Sequence, residues 1–224
     1  NITMDAIFGD GSERSKGGGF FGMLGSAAKR VITGESLFMT SFTNTGMLKQ
    51  KVAFASPYPG KILAMDLRNY RGKLICQKDS FLCCAKGISI GIEFTKKLGT
   101  GFFGGEGFIL QKLEGDGLAF IHAGGTIVKK SLNPGETIKI DTGCLVAMTQ
   151  NVHYDIEFVG GIKNAVFGGE GLFFATLTGP GEVWIQSLPF SKLASRVYSS
   201  APQNMGKSVD EGSILGSIGN IFEK

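Results

Sequence analysis

Apolar residues alternate with polar or small ones in short runs along the chain, at residues 73–77, 88–94, 137–140 and 154–158. A period of two is the signature of a β-strand with one buried face. Turn-forming groups separate the runs, among them Asn133-Pro134-Gly135-Glu136, Asp141-Thr142-Gly143 and Thr178-Gly179-Pro180-Gly181. The pattern predicts an all-β fold of short strands, an antiparallel β-sandwich or a double-stranded β-helix, with few exposed edges. Two stretches leave this rhythm. After Gly17-Gly18-Gly19, residues Phe20, Leu24, Ala27, Ala28 and Val31 fall at helical spacing, and after a polar linker Ile214, Leu215, Ile218, Ile221 and Phe222 do the same. Each predicts a short amphipathic helix, so residues 20–31 and 214–222 are the candidate segments for docking a membrane surface or a protein partner.

The chain also matches itself. Residues 92–121 align with residues 156–185 at a constant offset of 64 without gaps, and 12 of the 30 positions are identical. The identities centre on Phe103-Gly104-Gly105-Glu106-Gly107 and Phe167-Gly168-Gly169-Glu170-Gly171. A weaker third copy reads Gly34-Glu35-Ser36-Leu37-Phe38, preceded by a strand at Ile2-Thr3-Met4-Asp5. A period this long exceeds ordinary solenoid units and predicts multi-stranded repeats about a pseudo-threefold axis. The expected organisation is one β domain over residues 1–198, with copies at about 1–56, 57–122 and 123–190, and a linker with its helix over 199–224. The first copy is short at its start, and about 25 to 40 further upstream residues would complete it on repeat length.

Composition narrows function more than it defines it. With 23 basic and 19 acidic residues the net charge is +4, below the imbalance of an obligate nucleic-acid binder. The four cysteines, Cys76, Cys83, Cys84 and Cys144, have no metal-binding spacing and read as free thiols of a cytoplasmic protein. No apolar run reaches the length of a membrane span, about 18 to 20 residues.

The repeat motif, Gly34, Glu35, Gly104, Gly105, Glu106, Gly107, Gly168, Gly169, Glu170 and Gly171, lacks the Lys-Ser/Thr of a phosphate loop and the spacing of a dinucleotide fold. It reads as structural, with glycines at tight turns. His122 and His153 are the only histidines, too few for the clustered ligands of a metal-dependent β-barrel enzyme. The expectation is no catalytic set, no metal and no cofactor. Lys61, Arg68 and Arg71 form a candidate nucleic-acid stripe, with Tyr58 and Tyr70 placed to stack on bases.

Several motifs taken together carry a resemblance: Gly34-Glu35-Ser36-Leu37-Phe38, Pro59-Gly60-Lys61-Ile62, the two Phe-Gly-Gly-Glu-Gly motifs, Asp141-Thr142-Gly143-Cys144-Leu145-Val146-Ala147 and Val183-Trp184-Ile185-Gln186-Ser187-Leu188. With them the chain resembles a family of uncharacterised bacterial proteins related to the mitochondrial biogenesis (altered inheritance of mitochondria) proteins of fungi. The resemblance implies a double-stranded β-helix similar to the tryptophan RNA-binding attenuation protein (TRAP), itself a ring of subunits, and implies no enzymatic activity. The first expectation is therefore a non-enzymatic homo-oligomeric scaffold or assembly protein. An RNA-binding ring and a small-molecule-binding β-barrel are the alternatives.

Overall fold

The computed structural model describes residues 1–8, 38–96, 108–159 and 172–200. Among the described residues fourteen strands make the fold all-β. They are β1 (Ile2–Phe8), β2 (Phe38–Asn44), β3 (Lys61–Asp66), β4 (Lys73–Gln77), β5 (Phe81–Cys84), β6 (Ser89–Lys96) and β7 (Phe108–Glu114). Then follow β8 (Leu118–Ala123), β9 (Ile127–Leu132), β10 (Thr137–Asp141), β11 (Leu145–Thr149), β12 (His153–Val159), β13 (Leu172–Thr178) and β14 (Gly181–Gln186). One α-helix, α1 (Phe190–Ser200), closes the described residues. The chain divides into two units after Leu193, and every strand lies in the first. Of the second, the structure describes the end of α1.

Every strand pair is antiparallel, and the strands form sheets in the orders β1-β2, β3-β8-β5, β10-β13-β12 and β6-β7-β4-β11-β14-β9. The offset of 64 orders this topology. It carries β4 onto β10, β5 onto β11, β6 onto β12 and β7 onto β13, and the pairing follows: β4-β7-β6 corresponds to β10-β13-β12, and β3-β8-β5 to β9-β14-β11. Even the connections correspond. The Gln77 side chain accepts from Asp79 N–H at 2.7 Å to start a 3-10 turn at Lys78–Ser80, and Asp141 accepts from Gly143 N–H at 2.9 Å to start one at Thr142–Cys144. Both satisfy a backbone donor that the tight turn leaves free.

The six-stranded sheet is where the two corresponding halves join, through the β4–β11 pair. One of its faces puts Leu74, Cys76, Leu113 and Trp184 into a core with Met65, Ala119 and Ile121 of the β3-β8-β5 sheet. The opposite face puts Ile75, Leu110, Met148 and Val183 into a second core with Ile156, Ala175 and Leu177 of the β10-β13-β12 sheet. The sequence pattern of residues 73–77 predicts a strand with one buried face, and here the structure differs. Leu74, Ile75, Cys76 and Gln77 are all buried, because β4 is covered on both faces and paired on both edges. Strands so covered tolerate apolar residues at successive positions. The two helices expected over 20–31 and 214–222, and the repeat glycines and glutamates at 34–35, 104–107 and 168–171, lie outside the described residues.

Candidate functional site

The basic residues of the candidate nucleic-acid stripe sit at two ends of one strand. Lys61 opens β3, and its six residues carry the chain about 20 Å to Asp66, where a short 3-10 turn at Leu67–Tyr70 begins. Asp66 caps this turn by accepting from Arg68 N–H at 3.1 Å. The same carboxylate takes the Arg68 guanidinium in two bonds, Nε to Oδ1 at 2.9 Å and NH2 to Oδ2 at 2.6 Å. Those bonds hold the Asp66 carboxyl below its ordinary pKa. Arg71 ends the turn in the left-handed region, at φ 57°. Lys61 is thus separated from Arg68 and Arg71, and the Arg68 charge is engaged locally. Tyr70 packs its ring edge-on to Trp184 at 5.5 Å, and Tyr58 lies beside His122 at 4.3 Å, so both aromatics are used in packing.

The reactive side chains are placed for packing as well. All four cysteines are free thiols. Burial pushes Cys76 up to about 12 and Cys84 up to about 11, and it raises Cys83 and Cys144 too, so none is activated as a nucleophile. Among the described residues, no three His, Cys, Asp or Glu side chains gather to hold a metal ion. His153 is exposed on β12, whereas His122 on β8 is 1% exposed. The histidines therefore occupy different sheets and different environments.

His122 is the residue whose chemistry the sequence left unread. The offset of 64 that aligns the repeats carries it onto Gln186, which is also buried. Gln186 is fully engaged: its Oε1 accepts from Gly124 N–H at 2.7 Å and its Nε2 donates to the Gly143 carbonyl at 2.8 Å. Among the described residues, neither ring nitrogen of His122 has a hydrogen-bond partner. Strand register explains the difference. Ile62 pairs with His122 as Ile127 pairs with Gln186, which places Pro59 where the other half has Gly124. Proline has no N–H to donate. The imidazole instead lies under the Tyr58 ring, with Gly60 beneath it, where a Cβ would strike the Ala123 carbonyl and the imidazole itself. Desolvation lowers the His122 pKa, against a weaker upward pull from the Tyr58 backbone. His122 is therefore a buried imidazole whose charged form is disfavoured by its surroundings.

A cleft of about 660 Å³ opens between β2 and β5, lined by Met39, Phe42, Phe54, Phe81 and Cys83 among others. Its lining is mainly apolar, with Thr40, Ser41, Cys83, Cys84 and Lys86 as the polar or reactive side chains and no carboxylate or histidine. Sequence reasoning missed this cleft, whose lining residues lie about 40 positions apart in the chain.

Comparison with known proteins assigns the family. Residues 1–188 match the model of the mitochondrial biogenesis AIM24 family. The chain belongs to this family. An uncharacterised protein of Streptococcus pyogenes serotype M6 is 30% identical over 203 residues, a stretch spanning 90% of this chain and 77% of that protein. An X-ray crystal structure of a Streptococcus pyogenes protein superposes with a TM-score of 0.63 at 25% identity, covering 90% of this chain and 83% of the other. The AIM24 resemblance read from the motifs is thereby established, and these relatives bring no assigned activity with them. Among the described residues, no helix is long and apolar enough to cross a membrane.

Proposed function

We propose that this AIM24-family chain is a non-enzymatic, cytoplasmic scaffold or assembly protein that works as a homo-oligomer, with repeats arranged about a pseudo-threefold axis in the TRAP-like manner. One observation carries the reading: among the described residues no strand pairs with the outer edge of β10, whereas its counterpart β4 is paired on that edge with β11. An open strand edge is a row of backbone donors and acceptors suited to pairing with another chain. A second copy joined there would extend the β10-β13-β12 sheet as β11 extends β4-β7-β6. Other observations support a structural rather than chemical role. The buried side chains of Gln77 and Gln186 and the half-buried Asp141 bind backbone groups, and the thiols are pushed away from reactivity. Four free cysteines suit a reducing compartment.

Light scattering on the full chain, with the 260/280 nm absorbance ratio read on the same peak, tests the proposal. A defined multimer free of nucleic acid is expected. A monomer at tens of micromolar overturns the scaffold reading, and a particle carrying RNA replaces it with an RNA-binding ring.

A further inference from the structure

Helix α1 divides cleanly into two sides. At 3.6 residues per turn, Phe190, Leu193, Ala194, Val197 and Tyr198 fall on one side, at i, i+3, i+4, i+7 and i+8, while Ser191, Lys192, Ser195, Arg196 and Ser199 fall on the other. None of the helix residues is buried. Phe190 rests on the Tyr58 ring at 5.1 Å yet is 54% exposed, and Val197 and Tyr198 are 64% and 79% exposed. A helix of 11 residues is marginal in water and depends on packing its apolar side. Among the described residues nothing covers this one.

The sequence supplies a partner of matching length and opposite charge. Pro202 stops α1 just beyond Ser200, and residues 201–213 form a mainly polar linker. After it, Ile214, Leu215, Ile218, Ile221 and Phe222 stand at helical spacing behind Ser213, a residue suited to capping a helix. The stripes over 190–198 and 214–222 are equal in length, about 12 Å of helix each, and the linker can extend about 40 Å, ample for one to return along the other. α1 holds Lys192 and Arg196 and no acid, whereas residues 210–223 hold Asp210, Glu211 and Glu223 and no base. Other occupants fit less well. Residues 20–31 carry Lys29 and Arg30 and would set like charges together. A lipid surface asks for a strongly basic polar side, but on α1 that side is mostly serine, and its Lys192 is engaged with Asp141 at 2.8 Å.

We propose that the apolar side of α1 is a docking surface for residues 214–222 of the same chain, which return along it as an antiparallel second helix. The large Ile218 then meets the small Ala194 at the centre. Ile214 and Leu215 lie along Val197 and Tyr198, and Ile221 and Phe222 lie along Leu193 and Phe190. Gly216 and Gly219 weaken this segment as a free helix, so its helical form depends on the contact. While it is docked, both apolar stripes are withheld from membranes and from other proteins.

Hydrogen exchange on the full 224-residue chain tests the contact. Amides of residues 194–200 and of 215–222 are expected to be protected together, without lipid and equally at low and high micromolar concentration. Ile218→Asp should speed exchange in both segments by roughly tenfold or more, and Val197→Asp should do the same, with strand amides unchanged. Ile218→Leu should retain the protection. The solution mass of Ile218→Asp, read by light scattering, should equal that of the unsubstituted chain, which keeps this test apart from that of self-association at β10. Exposed amides over 215–222 in the unsubstituted chain would overturn the proposal without any variant. So would substitutions that each loosen only their own segment. Protection that grows with chain concentration, or a lower mass for Ile218→Asp, would replace the same-chain contact with one between copies. Protection that requires anionic vesicles would assign α1 to a membrane surface instead.

Discussion

Strands β4 and β10 correspond position for position, yet they live in different surroundings. Leu74, Ile75, Cys76 and Gln77 are buried, whereas their counterparts Ile138, Lys139, Ile140 and Asp141 are half-buried or exposed. Both strands end on a side chain that caps a 3-10 turn, and both pair with the corresponding strand of their own copy. The difference lies in the second neighbour. β11 closes the far edge of β4, and sheets cover both of its faces, while no strand of the described residues pairs with the far edge of β10. The residue contents follow the surroundings: position 75 is isoleucine in the second core, and position 139 is a lysine paired with Glu157 at 2.8 Å. A repeat is therefore a plan for pairing, and burial is decided by what the neighbouring copy supplies.

The comparison breaks most sharply under a reciprocal exchange. Ile75→Lys places an unpaired ammonium in the second core and is expected to cost more than about 4 kcal/mol, enough to prevent folding of a marginal domain. Lys139→Ile is expected to leave stability within about 1 kcal/mol, because it removes one exposed ion pair. Denaturant melts of the two variants check this, and similar losses would show that β4 and β10 are equally enclosed. A milder pair follows. Leu74→Ala should cost about 2 to 5 kcal/mol, and Ile138→Ala less than half as much, because its site can collapse toward solvent.

The smallest effect sharpens the other unequal pair, His122 and Gln186. Burial lowers the His122 pKa, so below its ordinary 6.5 the unfolded chain takes up a proton that the folded chain resists. The stabilisation is complete above that pH and falls as pH drops toward the folded-state pKa, with a slope of at most about 1.4 kcal/mol per pH unit. His122→Gln, which installs the residue its counterpart carries, should flatten this part of the stability profile. A profile unchanged by the substitution would mean that His122 binds its proton equally in both states.

Much of the fold was legible. The strands at 73–77 and 137–141 were legible as strands, the second by its period-two patterning, the turns show their proline and glycine, and the offset of 64 was visible before any strand pairing was known. The family was legible too, because its motifs are spread along almost the whole matched region. The site was less so. Arg68 belongs to a basic cluster in the sequence, but its engagement with Asp66 depends on a capped turn that brings the two within 2.6 Å. His122 shows nothing unusual in its own segment; Pro59, just before the neighbouring strand β3, occupies the place of a donor. The cleft beside β2 involves residues about 40 positions apart in sequence, Phe42 and Cys83, which local patterning cannot relate.

By itself the sequence determined the class of the fold, the repeat and the family, because strand periodicity, turn chemistry and self-similarity are properties of residues along the chain. Only the tertiary structure decided which edges are closed, which are open, and which of two corresponding side chains finds a partner. Those outcomes depend on hydrogen-bonding and packing groups brought together from distant strands. A backbone edge has the same chemistry in every copy, and its neighbour determines whether it is interior or interface.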